Sequence, residues 1–192
     1  MLLIIDCCIR GADSATRKYY QAYLEASGQQ HTQSILLDQM DLAPLNRTTL
    51  LQREALCAKK DFGHAMFQLA RQFQQADEIL VAAPFWDLSF PSILKVYFEH
   101  VTVNGLTFGY DDRGRCIGYC KARRLLYFST CGGYCTEQHL GFTYTQALAA
   151  MLGIRECFPY ILQGLDIDPT QREALLTRAI RRLQLGEEKT KG

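Results

Sequence analysis

Five short apolar runs punctuate the chain, at residues 2–6, 34–37, 79–83, 124–129 and, more weakly, 158–162. Nearly every position within a run is apolar, and turn residues flank each one. Runs without alternation predict strands covered on both faces, as in a parallel sheet. Between the runs the period changes to that of helices. Residues 16–26 keep Tyr19, Tyr20, Tyr23 and Leu24 on one face, and residues 61–75 do the same with Met66, Leu69, Ala70 and Phe73. Residues 91–101 align Ile93, Leu94, Tyr97, Phe98 and Val101, and residues 144–152 and 170–185 complete the set. This alternation predicts an α/β sheet with right-handed crossovers. Five strands fit the doubly wound order 2-1-3-4-5.

One segment departs from the alternation. Residues 104–119 hold a turn at Asp112-Arg113-Gly114 between two short β-like arms, which predicts a hairpin before the fourth strand. The charged tail at 187–192 is expected to fray, leaving residues 1–186 as a single domain. The length of 192 residues agrees, and the chain shows no repeat or linker.

Composition narrows the function classes. The net charge is only +1, so nothing predicts general electrostatic binding of nucleic acid. No apolar stretch is long enough for a membrane span, and the apolar start lacks a basic leader and meets Asp6 at once. A cytoplasmic location is therefore expected, with the eight cysteines mainly as thiols. Cys116 and Cys120, with Cys131 and Cys135, form two C-x3-C pairs that could in principle hold zinc or an iron–sulfur cluster. The usual close pair is C-x2-C, and a predicted strand separates the two pairs, so no metal is expected.

In an open α/β sheet, ligands bind beyond the carboxyl ends of the strands, near the point where strand order reverses. Three loops fall there. After the first strand comes Cys7-Cys8-Ile9-Arg10-Gly11-Ala12-Asp13-Ser14-Ala15-Thr16-Arg17, whose Ser14 and Thr16 hydroxyls sit near a helix N-terminus. The free amides and positive dipole end there favour an anion such as phosphate, although taken alone Ser14 or Asp13 reads more simply as an ordinary N-cap. After the third strand, Pro84-Phe85-Trp86-Asp87-Leu88 sets two aromatics beside an acid, which suits the edge of a planar heterocycle or a hydrophobic plug. After the fourth, Thr130-Cys131-Gly132-Gly133-Tyr134 has paired glycines that permit close backbone approach to a ligand, or a plain turn. Three such loops at one sheet edge argue jointly for a ligand.

The stretch from Ala76 through Pro84, Asp87, Pro91, Leu94 and Lys95 to Phe98 resembles the flavodoxin-like NAD(P)H:quinone oxidoreductases and FMN-dependent NADH:azoreductases. So does Gly105-Leu106-Thr107-Phe108-Gly109-Tyr110, followed by Thr130-Cys131-Gly132-Gly133-Tyr134. The likeness runs in order and spacing over most of the first 150 residues. It implies a flavodoxin-like three-layer α/β/α sandwich with FMN held by three loops. The phosphate loop would span Cys8, Arg10, Ser14, Thr16 and Arg17; the flavin-edge loop Pro84, Phe85, Trp86, Asp87 and Leu88; the third Thr130, Cys131, Gly132 and Gly133. It also implies a homodimer with sites at the subunit boundary, where Phe108 and Tyr110, with Tyr134, would wall a substrate pocket. Two positions depart from the family's pattern. Cys8 stands where serine is common, and Asp87 stands where asparagine is usual.

The activity so implied is a two-electron ping-pong reaction. NADH or NADPH reduces the flavin, and a quinone, azo compound or similar small acceptor reoxidises it, with no dedicated protein acid or base. The rival readings are a flavodoxin-type single-electron carrier, disfavoured by the near-neutral charge, and a non-enzymatic regulatory subunit of a transport protein. An iron–sulfur flavoprotein using the four cysteines is a further one.

Overall fold

In the computed structural model, which describes residues 1–135 and 138–185, Leu2, Leu3, Ile4 and Ile5 are all buried. They form β1 (Leu2–Asp6), the second strand of a five-stranded parallel sheet. The sheet runs β2 (Thr32–Leu36), β1, β3 (Glu78–Ala82), β6 (Arg124–Thr130), β7 (Glu156–Leu162). Counted along the sheet's own strands, this is the expected order 2-1-3-4-5, with the reversal between β1 and β3.

The two-residue period of each strand divides the core into two layers. Leu3 and Ile5 of β1, Ile79 and Val81 of β3, and Leu125 and Tyr127 of β6 face one side. There they meet Phe73 of α3 (Gln68–Gln75), Leu94, Tyr97 and Phe98 of α4 (Ser92–Val101), and Ala149 of α5 (Leu140–Met151). Leu2 and Ile4, Leu80 and Ala82, and Leu126 and Phe128 face the other side. They pack on Tyr19 and Tyr20 of α1 (Ala15–Ser27) and on Leu176, Ala179 and Leu183 of α6 (Arg172–Gln184). Continuous apolar strands therefore follow from helices on both faces. No helix among the described residues is long and apolar enough to cross a membrane.

The hairpin forms as expected, from β4 (Phe108–Tyr110) and β5 (Cys116–Gly118) paired antiparallel. Asp111 closes its turn by accepting from the backbone amides of Arg113 and Arg115. At its other side Gly118 lies so close to Leu152 and Gly153 that a Cβ there would stand 2.0 Å from backbone atoms.

Three local features differ from the sequence expectation. A helix not anticipated, α2 (Arg47–Ala58), buries no residue fully, so it has no clean apolar stripe to read. Its start is nonetheless marked by a reciprocal cap between Asn46 and Thr49, and Arg53 anchors it to the carbonyl oxygens of Glu99 and Thr102 at the end of α4. The helix expected from residue 61 begins at Gln68, after a 3-10 turn at Ala65–Phe67 capped by His64. Finally, α5 begins at Leu140 rather than residue 144, because the His139 imidazole accepts from the Phe142 amide and caps the helix. The tail expected to fray, residues 187–192, lies outside the described residues.

Candidate functional site

The carboxyl ends of β1, β3 and β6 carry the three loops singled out in the sequence, and the backbone ties each loop to the next. The Cys7 amide donates to Ala82, the Phe85 amide to Thr130 and the Cys131 amide to Leu162. Between them lies a cleft of about 130 Å3, open to solvent on one side.

The first wall is the loop after β1. Asp6, fully buried, accepts from Arg17 Nε at 2.7 Å, the Tyr20 hydroxyl at 2.8 Å and the Cys8 amide at 2.7 Å. These bonds fold the loop back on itself so that α1 starts beside the cleft. Ser14 is its N-cap, its Oγ accepting from the Arg17 amide at 3.3 Å. The amides of the first helical turn have no partner within the helix and, with the helix dipole, favour an anion. Arg10, Asp13, Ser14 and Ala15 face the cleft. Cys8, Thr16 and Arg17 lie behind this wall instead. Cys8 is fully buried, and burial followed by the nearby Asp6 charge pushes its thiol far above the ordinary range. Thr16 joins its hydroxyl to that of Thr130 at 2.7 Å, pinning α1 to the end of β6. Arg17 gives Nε to Asp6 and holds one Nη 3.9 Å from Asp38.

The second wall follows β3. Trp86 and Ser89 exchange backbone hydrogen bonds of 3.2 and 2.8 Å, closing a two-residue turn over Asp87 and Leu88. Both central residues are left-handed, with φ of 49° and 65°. Turns of this kind normally take Asn-Gly or Asp-Gly, because a Cβ disfavours the left-handed region by about 1–2 kcal/mol per residue. Strain of that kind clusters at sites that bind ligands. The closing bonds use the amides of Trp86 and Ser89 and leave those of Asp87 and Leu88 outside the pairing. Pro84, Phe85 and Trp86 line the cleft, while Leu88 is exposed at its mouth. Behind Phe85, His139 packs with ring centroids 4.4 Å apart. Burial lowers His139 to about 4, so its ring is neutral.

The third wall is Thr130, Cys131 and Gly132. Their loop is laced to the segment after β7: Gly164, Leu165 and Asp166 donate their amides to Gly133, Cys131 and Gly132. At Gly132 a Cβ would stand 2.4 Å from Oδ2 of the exposed Asp166 side chain, so a larger residue there would push that carboxylate aside. Leu165, Asp166 and Arg172 complete the lining, and Asp166 forms an ion pair with Arg172. Sequence reasoning missed these three. Their signal was positional: they follow the fifth strand at the same sheet edge. Gly133 and Asp87 flank the cleft without lining it, and Tyr134 is exposed, close against Gly164.

Phe108 and Tyr110 do not line this cleft. Their hairpin packs beside Gly153, which leads into the start of β7, so it sits at the opposite edge of the sheet. There Phe108 packs against the core and Tyr110 is exposed. The two cysteine pairs are likewise kept apart. Cys116 and Cys120 contact the carbonyl oxygens of Met151 and Thr107 on the hairpin side, whereas Cys131 and Cys135 stand together at the cleft.

A cleft with an anion-favouring helix end on one wall and an aromatic turn on another suits an elongated ligand with a phosphate at one end and a flat ring system at the other. Comparison with known proteins bears on the fold. The sequence description of the flavodoxin-like fold matches residues 1–185. FMN-dependent NADH:quinone oxidoreductase 2 of Clostridium acetobutylicum is 33% identical over 122 residues, which is 61% of this chain and 60% of that protein. The FMN-dependent NADH:quinone oxidoreductase of Caldicellulosiruptor saccharolyticus is 30% identical over 123 residues, 62% of this chain and 61% of that protein. The alignments thus span about three fifths of these relatives' own length. Among solved structures, an azoreductase from Bacillus anthracis superposes with a TM-score of 0.81 at 18% identity, covering 98% of this chain and 99% of that one. An FMN-dependent NADH-azoreductase from the same organism, in complex with FMN, gives 0.80 at 22% identity, covering 96% of each. At these identities the structural likeness is one of fold.

Proposed function

We propose that this chain, which belongs to the flavodoxin-like fold family over residues 1–185, binds FMN in the cleft and passes two electrons from NADH or NADPH to a quinone or azo acceptor. The observation that carries the reading is the meeting of an anion-favouring helix end and a strained, aromatic-flanked turn in one cleft. The relatives' names, which specify FMN, NADH and quinone, supply the chemistry.

The residues present fit the cofactor. The first turn of α1, capped by Ser14 and flanked by Arg10, would take the phosphate. The amides of Asp87 and Leu88 would meet the polar edge of the ring, with Phe85 and Trp86 beside it, and Gly132 would let the third loop close over it. When bound, FMN supplies the redox centre for two-electron transfer. The protein's own part is orientation. Thr16 and Thr130 set the separation of two walls, Asp6 holds the first loop, and neutral His139 supports Phe85 without adding charge beside the ring. Asp87 brings a carboxylate to the flavin-edge turn, which disfavours additional negative charge on the ring.

The active unit in this reading is a homodimer in the cytoplasm. Because Phe108 and Tyr110 stand at the far edge of their own sheet, they would reach a substrate only in the partner's cleft. Trp86, Leu88, Tyr110 and Tyr134 provide exposed aromatic and apolar surface for such a boundary.

The test is anaerobic mixing of FMN-loaded protein with NADH or NADPH, followed by a quinone. Bleaching by the nicotinamide and recovery by the quinone at equal stoichiometry are expected. A flavin that stays oxidised with both donors would overturn the proposal. In a Ser14→Ala/Thr16→Ala double variant, FMN affinity should fall about tenfold or more, equal to ~1.4 kcal/mol.

A further inference from the structure

Cys131 and Cys135 place their sulfur atoms 3.6 Å apart at the edge of the cleft, in a loop with no helix to hold them separate. Cys131 is fully buried and lines the cleft, whereas Cys135 is partly exposed. The intervening residues are Gly132, Gly133 and Tyr134, so two of three have no side chain to resist backbone adjustment. His139 lies within 4.8 Å of both sulfurs, which makes a metal the obvious rival occupant. Its ring argues against that. Nδ1 accepts from the Phe142 amide at 3.0 Å, so in the neutral ring Nε2 carries the proton and donates to Ser129 Oγ at 3.2 Å. Neither nitrogen then has a lone pair free for an ion. Two thiols and a committed imidazole make a poor metal site, but the two sulfurs stand close enough to be joined.

We propose that Cys131 and Cys135 form a reversible intrachain disulfide under peroxide, and that its closure reshapes the third wall of the cleft. The accessible Cys135 sulfur attacks one oxygen of hydrogen peroxide. The O–O bond breaks, giving Cys135 sulfenic acid, and the departing hydroxide leaves as water with the thiol proton. Cys131 then attacks the sulfenic sulfur. The S–O bond breaks, the S–S bond forms, and a second water carries off the hydroxyl and the Cys131 proton. Two thiols lose two electrons in all, and one peroxide is reduced to two waters. A disulfide needs a sulfur separation of about 2.0 Å, so the pair must close by roughly 1.5 Å. The carbonyl oxygens of Cys131, Gly132 and Gly133 are hydrogen-bonded to the 164–166 segment, so that movement is transmitted to Asp166 and its partner Arg172 across the cleft mouth. The effect on the ligand rests on the FMN reading; the disulfide does not.

The experiment treats the full chain with hydrogen peroxide, digests it without reduction and maps the peptides by mass. The expected product links Cys131 to Cys135 with loss of two hydrogens, reverts with dithiothreitol, and is absent in Cys135→Ser. Peroxide should change the FMN dissociation constant at least about threefold in the starting protein and not in Cys135→Ser. Over-oxidation of Cys135 with Cys131 still a free thiol would overturn the proposal. So would stoichiometric zinc release on thiol modification, or a disulfide that leaves FMN affinity unchanged. Disulfide formation in protein that binds no flavin would sink the cofactor reading and leave the modification site standing.

Discussion

Replacing Asp6 with alanine tests how the first wall of the cleft is held. Asp6 is fully buried and accepts three hydrogen bonds, the most important from Arg17, whose side chain is only 13% exposed. In Asp6→Ala the guanidinium keeps, among the described residues, only Asp38, at 3.9 Å, and the Tyr20 hydroxyl and Cys8 amide lose their acceptor. Removing one partner of a buried ion pair costs about 3–5 kcal/mol, mostly because the other charge is left uncompensated. In a chain of this size each kcal/mol lowers Tm by about 2–4 °C, so a fall of roughly 6–20 °C is expected. Urea denaturation of Asp6→Ala, Arg17→Met and the double variant measures it directly. Since the double variant removes both charges, its cost should fall short of the sum of the singles by about 1–3 kcal/mol. A loss below about 1 kcal/mol for Asp6→Ala, or additivity within about 0.5 kcal/mol, would refute the reasoning.

Other outcomes follow from the geometry. Gly118→Ala must displace the backbone at Leu152 and Gly153, where a Cβ would stand 2.0 Å away, and should destabilise by about 1–3 kcal/mol in urea. At the cleft, Gly132→Ala pushes against Asp166 rather than backbone, so it should spare Tm and lower FMN affinity, read by flavin fluorescence. His139 titrates near 4 in the folded protein against 6.5 in the unfolded chain. As pH falls from 6.5 toward 4, only the unfolded state gains this proton, so stability declines over that window; His139→Asn should flatten the pH 7 to 5 portion of the urea-midpoint curve. Asp87→Asn removes a charge from the flavin-edge turn and should raise the two-electron potential of bound FMN. An effect of about 1 kcal/mol corresponds to roughly 20 mV, and an unchanged or lowered potential contradicts the placement of this turn.

The centre of the sheet was legible because β1, β3 and β6 are buried on both faces. β1 begins and ends where its apolar run does, and β6 and β7 extend theirs by one or two residues. What escaped was structure held by polar contacts rather than by a stripe. Helix α2 rests on the Asn46 cap and on Arg53 reaching two carbonyls, and the early start of α5 depends on His139. At the site, the sequence picked out three loops that meet at one cleft but could not tell lining from support. Ser14, Phe85 and Gly132 face the cleft, whereas Thr16 and Arg17, the second and third residues of the helix that Ser14 caps, turn away to hold Thr130 and Asp6. The Asp166–Arg172 pair was invisible because it lies in a short connection with no distinctive spacing. Equally hidden was the left-handed turn at Asp87-Leu88, since leucine is not a residue that announces positive φ.

The central claim is that this cleft holds FMN. Titrating ligand-free protein with FMN, and following both flavin fluorescence and the visible spectrum, tests it most directly. The account predicts saturable binding at one FMN per chain, with altered fluorescence and a resolved flavin band, weakened in Ser14→Ala/Thr16→Ala. A spectrum and fluorescence identical to free FMN at concentrations well above the protein's would contradict it.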